Sequence, residues 1–247
     1  MARTVQGSKI IVTGATDGIG KAAAIALKER GAYVLAVGRR SPKRSGLPRT
    51  LAYCEADLSE AGFLETIMAK LESLGWNQLD HLVHNAATGY VGHFKEEPAD
   101  HMTTQITVNL TAPMVLTNGL AGHLERASGS VLFVGSTASW RGTPHYALYT
   151  ATKSGLTDFA RNLRTEWKGR IHVQEVIPGP TRTSFHRKSG LLNPPLASLY
   201  MTADEVAQGI VKSLETGRVK KRYPASALIF HAIKRSVLGQ QNSGESA

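Results

Sequence analysis

The sequence contains a single cysteine, Cys54, so no disulfide can form within the chain. A chain without disulfides favours a reducing compartment, and we predict a cytoplasmic protein. No run of eighteen apolar residues occurs, so no membrane span is expected. The first eight residues form a short polar segment, and a strand pattern begins at Lys9, so no secretory signal is expected either.

Aromatic residues are also few, at 6% of the chain, whereas glycines number 24, a mixture that suits a layered helix-and-sheet domain. Short apolar runs alternate with longer helical patterns. The predicted strands are residues 10–12, 33–37, 51–54, 79–84, 130–135 and 171–177. The predicted helices are residues 18–30, 61–73, 103–125 and 149–167. This alternation predicts the α/β class with a doubly wound parallel sheet, a three-layer αβα Rossmann fold.

We expect one catalytic domain over residues 1–239, because no linker and no internal repeat is visible. Two stretches have loop composition. Residues 39–49 are rich in basic side chains and proline, and residues 179–200 are predicted as a substrate loop. Residues 226–238 form an amphipathic pattern, predicted as a C-terminal helix, and residues 240–247 are predicted as a flexible tail.

A glycine-rich turn follows the first predicted strand and opens the first predicted helix. Gly14, Gly18 and Gly20 give the spacing G-x-x-x-G-x-G, a variant of the dinucleotide fingerprint. Glycines allow the backbone to approach a pyrophosphate, and the helix N-terminus offers free N–H groups. A turn that only packs the helix on the strand is the alternative.

The end of the second predicted strand indicates which nucleotide binds. An acidic residue there favours NAD, but this strand ends in Gly38, Arg39 and Arg40, and arginine can hold a 2′-phosphate. We therefore predict NADP(H), although an exposed basic loop would look the same. Asp17, inside the glycine turn, is a mild signal against NADP(H), because some NADP enzymes carry a basic residue there. Asp57, after the third strand, either contacts adenine or caps a helix.

Tyr149 and Lys153 lie four residues apart, on one face of a predicted helix. A nearby ammonium stabilises phenolate and would lower the tyrosine pKa, which suits a general acid. Ser136 stands thirteen residues upstream at a strand end, where parallel sheets bind ligands. Ser139 and Tyr146 are nearby competitors, but only Tyr149 has a lysine four residues on.

These motifs together resemble the short-chain dehydrogenase/reductase family over about residues 7–215. Asn85-Ala86-Ala87 is similar to the Asn-Ala-Gly segment of that family, with Ala87 replacing the glycine, and Pro178-Gly179-x-x-x-Thr183 is similar to its nicotinamide-contacting segment. The resemblance implies a catalytic tetrad of Asn109, Ser136, Tyr149 and Lys153. It further implies that Lys153 binds the nicotinamide ribose and that Asn109 holds a relay water. The C-terminal part lacks the glycine-rich strand of many tetrameric members.

The predicted sites are as follows. The predicted cofactor-binding residues are Gly14, Thr16, Asp17, Gly18, Ile19, Gly20, Arg39, Arg40, Asp57, Leu58, Asn85, Ala86, Tyr149, Lys153, Pro178, Gly179, Thr181 and Thr183. The predicted substrate-lining residues are Tyr90, Trp140, His145, Tyr146 and Phe185, which suggest an apolar or ring-bearing substrate. No residue spacing indicates a metal site.

The predicted function is an NADP(H)-dependent oxidoreductase that reduces a carbonyl or oxidises a secondary alcohol. A catalytically silent NADP-binding regulator and an epimerase or dehydratase on a related fold are the alternatives. We expect a homodimer or homotetramer and no nucleic-acid partner, because basic residues outside residues 39–49 are dispersed. The amphipathic segment is expected to pack on the protein, with peripheral membrane contact as the alternative.

Overall fold

The computed structural model describes residues 4–140, 143–194 and 196–222. The predicted C-terminal helix and tail lie outside the described residues. The strands are β1 (Lys9–Thr13), β2 (Tyr33–Gly38), β3 (Ala52–Glu55), β4 (His81–His84), β5 (Ser130–Val134), β6 (His172–Ile177), β7 (Thr181–Arg182), β8 (Met201–Thr202) and β9 (Lys220–Arg222). The helices are α1 (Gly18–Glu29), α2 (Pro42–Ser45), α3 (Phe63–Ser73), α4 (Ala99–Ile106), α5 (Ala112–Gly119), α6 (Ala121–Arg126), α7 (Ala147–Glu166), α8 (Phe185–Lys188) and α9 (Ala203–Thr216).

Within the described residues, seven strands form one sheet in the order β3-β2-β1-β4-β5-β6-β9. Every pairing in it is parallel. The prediction of a doubly wound parallel sheet is therefore confirmed. The chain order reverses between β1 and β4, which is the switch point where open α/β sheets bind ligands.

Two apolar cores cover the two faces of the sheet. One face packs against α1 and α9, through side chains such as Leu27 and Ile210. The other face packs against α3, α5, α6 and α7, through side chains such as Leu71, Leu116 and Leu156. Strand residues such as Ile10, Ile11 and Leu82 are fully buried because helices lie on both sides. This arrangement is the three-layer αβα architecture.

The structure corrects the prediction of one helix over residues 103–125. The segment is divided into α4, a π-helical turn at Thr107–Thr111, α5 and α6. The apolar pattern predicted helix over the whole segment but could not resolve a single π turn or the division between α5 and α6. Asn109 lies in the π turn, which widens the backbone at that point.

The structure also adds elements to the two predicted loops and the C-terminal part. Residues 39–49 contain α2, and residues 179–200 contain β7, α8 and a 3-10 turn at Ala197–Leu199. The basic strand β9 was not predicted. It extends the sheet beside β6, and the ammonium of Lys220 lies 2.8 Å from the carboxylate of Glu175, which is buried.

Candidate active site

One cavity of about 680 Å³ runs along the carboxyl ends of the central strands. Its volume falls in the range of about 300–1,000 Å³ that is typical of ligand pockets. We name its two ends by the sequence predictions. The nucleotide end is lined by Gly14, Thr16, Arg39 and Asp57, and the substrate end is lined by Ser136, Tyr146, Tyr149 and Phe185.

The glycine-rich turn forms the floor of the nucleotide end. Gly14 has a φ of +65°, and a Cβ there would lie 2.7 Å from the Ala86 Cα, so only glycine fits. Gly18, Thr16, Asp17 and Ile19 also line the cavity. Gly20 does not line it.

Gly20 instead allows α1 to pack closely, since a Cβ there would collide with the Asn85 side chain and the Gly14 carbonyl. The Asn85 amide donates to the carbonyl oxygen of Thr13 at 3.0 Å. The Thr13 hydroxyl accepts from the backbone N–H groups of Asn85 and Ala86. These bonds join the ends of β1 and β4, so the turn is held from both neighbouring strands.

The end of β2 brings two arginines to the nucleotide end. Arg39 is exposed and Arg40 is half-buried, and both line the cavity. The Arg40 guanidinium donates to the Thr16 carbonyl at 3.3 Å. The Tyr53 hydroxyl lies 2.6 Å from the Arg40 carbonyl oxygen and braces this strand end. A cation on a braced backbone is suited to binding a phosphate.

Asp57 and Leu58 line the same end of the cavity. One Asp57 carboxylate oxygen accepts from the Ser59 backbone N–H at 3.0 Å and from the Ser59 hydroxyl at 2.6 Å. These bonds close a local turn, and Asp57 does not cap a helix, because α3 begins only at Phe63 with Gly62 as its N-cap. Contact of Asp57 with adenine stays a prediction.

The substrate end brings together three of the four tetrad residues. Ser136 follows β5, Tyr149 and Lys153 lie on α7, and all three line the cavity. The side chains of Ser136 and Tyr149 are hydrogen-bonded to each other. The competitor Ser139 does not line the cavity, because its hydroxyl donates to the Ser136 carbonyl at 2.7 Å.

The pKa values at this end differ from the sequence expectation. Burial raises the pKa of Tyr149 to about 12, although the hydrogen bond with Ser136 opposes the rise. Burial lowers the pKa of Lys153 to about 8. The Lys153 ammonium donates to the Val134 carbonyl oxygen at 2.9 Å, so its charge is directed toward β5. Burial of Tyr149 therefore outweighs the lowering of its pKa that the spacing to Lys153 predicts.

Asn109 is completely buried and does not line the cavity. Its side chain accepts from the Thr88 N–H and donates to the Thr88 carbonyl, both at 2.8 Å. It also donates to the Thr152 hydroxyl at 3.1 Å, and that hydroxyl donates to the Tyr149 carbonyl at 2.8 Å. Asn109 thus joins the loop after β4 to the helix that carries Tyr149. The relay-water role stays a prediction.

The loop after β6 covers the cavity. Pro178, Gly179, Thr181 and Thr183 all line it. The Phe185 ring lies 5.2 Å from the Tyr149 ring, measured between centroids. Tyr146, which is buried, lies 6.2 Å from Tyr149 on the same measure.

Two of the five predicted substrate residues are not brought to the cavity. Tyr90 packs edge-on against His101, and His145 packs against His93. Neither lines the cavity. Trp140 closes a 3-10 turn, and its side chain lies outside the described part of the structure.

Sequence reasoning missed several lining residues, among them His101, Ser184, His186 and Lys188. Lys188 contacts Asp17, from which it is separated by 171 residues. No motif or spacing connects such distant positions, so only the folded chain reveals the contact.

Over the described ranges, no cluster of three or more His, Cys, Asp or Glu side chains could hold a metal ion. Over the same ranges, no helix has both the length and the apolar character that crossing a membrane requires.

The family model for short chain dehydrogenase matches residues 8–191. The chain therefore belongs to the short-chain dehydrogenase family, as its motifs predicted. It is 31% identical to an uncharacterized oxidoreductase of Myxococcus xanthus over 212 residues, 82% of this chain and 83% of that relative. It is 30% identical to the 11-beta-hydroxysteroid dehydrogenase-like protein 4A of Arabidopsis thaliana, over 71% of this chain and 61% of that relative.

The chain spans about three fifths of the length of the first curated relatives it matches. It also matches the human inactive hydroxysteroid dehydrogenase-like protein 1, with 31% identity over 74% of this chain and 58% of that relative. Among solved structures, it resembles a short chain dehydrogenase from Burkholderia cenocepacia in complex with NADP. That likeness has a TM-score of 0.78 and 25% identity and covers 92% of this chain and all of the other.

Proposed function

We propose that this protein is an NADP(H)-dependent oxidoreductase that transfers a hydride between the nicotinamide and a ketone or secondary alcohol. The observation that carries the proposal is that one cavity has Arg39 and Arg40 at one end and Ser136, Tyr149 and Lys153 at the other. Hydride transfer from a dinucleotide to a carbonyl requires phosphate-binding groups for the cofactor and a proton donor for the substrate oxygen in one continuous site. The NADP complex of the Burkholderia relative supports the cofactor assignment.

The residues of the cavity fit this cofactor. The close approach of Gly14 to Ala86 leaves a floor without side chains, on which a pyrophosphate would meet the N-terminus of α1. Arg39 and Arg40 would hold the 2′-phosphate, and Asp57 and Leu58 would border the adenine. When bound, NADPH would supply the hydride.

The acid–base work is assigned to the hydrogen-bonded pair of Ser136 and Tyr149. In reduction, the Tyr149 hydroxyl donates its proton to the carbonyl oxygen, while the Ser136 hydroxyl donates a hydrogen bond to the same oxygen. A phenol whose pKa is raised to about 12 is protonated at neutral pH, as a proton donor must be. Lys153, one turn along α7 from Tyr149, would carry the positive charge that stabilises the phenolate left behind.

Asn109 acts through other residues. Its bonds to Thr88 and Thr152 keep the loop after β4 against the helix that carries Tyr149. We assign it a positioning role in the tetrad.

We propose an apolar or ring-bearing ketone as the substrate, because the Tyr146 and Phe185 rings flank Tyr149. The hydroxysteroid names of two relatives agree with that class. The cytoplasmic location and the homodimer or homotetramer stay predictions.

The test is a panel of steroids, aromatic ketones, quinones and 3-ketoacyl esters, followed by the loss of NADPH absorbance. We expect at least one class to be reduced. Tyr149→Phe should lower kcat by about 10²- to 10⁴-fold, the usual contribution of a general acid, and leave NADPH affinity within about twofold. Tyr146→Phe is the matched control, since it removes a neighbouring hydroxyl. Full turnover by Tyr149→Phe would rule out the mechanism.

The second candidate is an NADP-binding protein without turnover. The human relative named as inactive favours it. The hydrogen bond of the Lys153 ammonium to the Val134 carbonyl oxygen, which directs its charge toward β5, favours it as well. Tight NADPH binding by the wild type with no reduction across the whole panel would select this candidate.

A further inference from the structure

Asp17 places a negative charge inside the turn that is expected to receive the cofactor phosphates. One carboxylate oxygen accepts from the Gly18 backbone N–H at 2.7 Å and caps α1. The other oxygen accepts from the Ser184 hydroxyl and the Lys188 ammonium, both of the substrate loop. The Arg40 guanidinium lies 3.6 Å from that second oxygen.

Capping alone does not explain the charge. A neutral Asn caps a helix about as well as Asp does. A carboxylate beside the N-terminus of α1 also repels the phosphates that the same N–H groups would bind. The charge therefore points to a second use. Ser184 and Lys188 of the substrate loop bond to it directly, and Arg40 lies farther from it, at 3.6 Å.

The loop needs such an anchor. Helix α8 has four residues, too few to be stable without tertiary contacts. Ser184 stands at its N-terminus but does not cap it, because its hydroxyl donates to Asp17 instead. Thr183 packs so closely on the turn that a Cβ at Gly18 would lie 2.9 Å from its methyl group. The anchored helix presents Phe185 to Tyr149.

We propose that Asp17 is a positioning residue that anchors α8 to the glycine-rich turn through Ser184 and Lys188. It thereby sets the position of Phe185 against Tyr149. The consequence for catalysis rests on the proposed function, whereas the anchor itself does not.

The charge needed for this anchor is present at every working pH. Burial alone would raise the pKa of Asp17, but the hydrogen bonds from Lys188 and Ser184 lower it to about 2. The Asp17 carboxylate therefore does not titrate between pH 5 and pH 9.

The first test measures the loop without any substrate. Hydrogen exchange followed by mass spectrometry compares the wild type with Asp17→Asn, which keeps the cap acceptor and removes the charge. We expect hydrogen exchange over residues 183–191 to become about three- to tenfold faster, because the loss of the anchor makes local opening of this segment easier. The exchange rate of α1 should not change. Arg187→Met is the matched control, because it removes an exposed cation from the same helix and lines no part of the cavity.

A mutant cycle tests the partner. Lys188→Met should speed exchange over the same residues, and adding Asp17→Asn to it should add little, because both changes break one contact. Fully additive effects, or exchange as slow in Asp17→Asn as in the wild type, would overturn the anchor. A rise confined to α1 would leave only the capping role.

Binding and kinetics then separate the anchor from direct cofactor contact. The anchor predicts that Asp17→Asn raises the ketone KM about three- to tenfold while NADPH binds equally or more tightly, since repulsion is relieved. Weaker NADPH binding with an unchanged KM would make Asp17 a cofactor ligand and overturn the proposal. Failure of the proposed function would appear differently, as a wild type that reduces nothing while the exchange results stand.

Discussion

The two ends of the cavity are built on different kinds of backbone. At the nucleotide end, β1, β2 and β4 are paired in one sheet and end side by side. The Asn85 amide donates to the Thr13 carbonyl, and the Tyr53 hydroxyl donates to the Arg40 carbonyl, so side chains also link the strand ends. At the substrate end, the wall is a loop with the four-residue helix α8 and a pair of two-residue strands. The first is held by its neighbours in the sheet, and the second by a few side-chain contacts.

The two ends also differ in the hydrogen bonds of their buried polar groups. At the substrate end, the Tyr146 and Tyr200 hydroxyls and the His186 Nδ1 are buried without a hydrogen-bond partner among the described residues. The short helix and two-residue strands of this end also have few backbone hydrogen bonds, so we expect lower local stability here than at the strand ends. We infer that cofactor recognition depends on a fixed backbone and substrate recognition on an adaptable loop.

The largest effect expected from this comparison is at Gly14. Gly14→Ala would strain a backbone with φ of +65° and drive a methyl group into the Ala86 Cα, which cannot move aside. We expect NADPH affinity to fall by about 100-fold or more, or about 3 kcal/mol, with a lower Tm. Fluorescence titration and thermal melting measure both.

Gly62→Ala is the control for Gly14→Ala. Gly62 has a φ of +85° and nothing within 4 Å of its Cβ position, so alanine there would strain the backbone without causing a clash. It should lower Tm modestly and leave NADPH binding unchanged. Equal effects at the two positions would mean that the nucleotide end is no more rigid than a surface turn.

The same difference explains what sequence could predict. The six main strands could be predicted because each is a short apolar run. The glycine turn and Ser136 lie at strand ends, and Tyr149 and Lys153 share one helix face, so local patterns indicated them too. The strand β9 has three basic residues and no apolar pattern, so it was missed. The contacts of Asp17 with Ser184 and Lys188 span more than 160 residues and leave no local signal. Tyr90 and His145 were misplaced because loop sequence does not specify where an aromatic ring points.

A smaller effect is expected at the 2′-phosphate. Arg39→Ala removes an exposed cation from a braced strand end, and charge-assisted hydrogen bonds contribute about 1.5–3 kcal/mol. The KM for NADPH should therefore rise about 10- to 100-fold, while the KM for NADH stays within about twofold. Arg49→Ala is the control, since Arg49 is exposed and basic but lines no part of the cavity. Equal rises for both cofactors would show that the basic loop only shapes the surface.

The smallest effect is expected at the substrate end, where an adaptable wall compensates for a lost side chain. Phe185→Ala removes the ring that packs 5.2 Å from Tyr149. An aromatic contact is worth about 0.5–1.5 kcal/mol beyond its buried area, so the KM for ring-bearing ketones should rise about three- to tenfold. Small aliphatic ketones and NADPH should be affected by less than about twofold. Phe94→Ala is the control, because Phe94 is 56% exposed and does not line the cavity. A loss as large as that of Gly14→Ala would show that the loop is as rigid as the strand ends, and the contrast between the two ends would then be wrong.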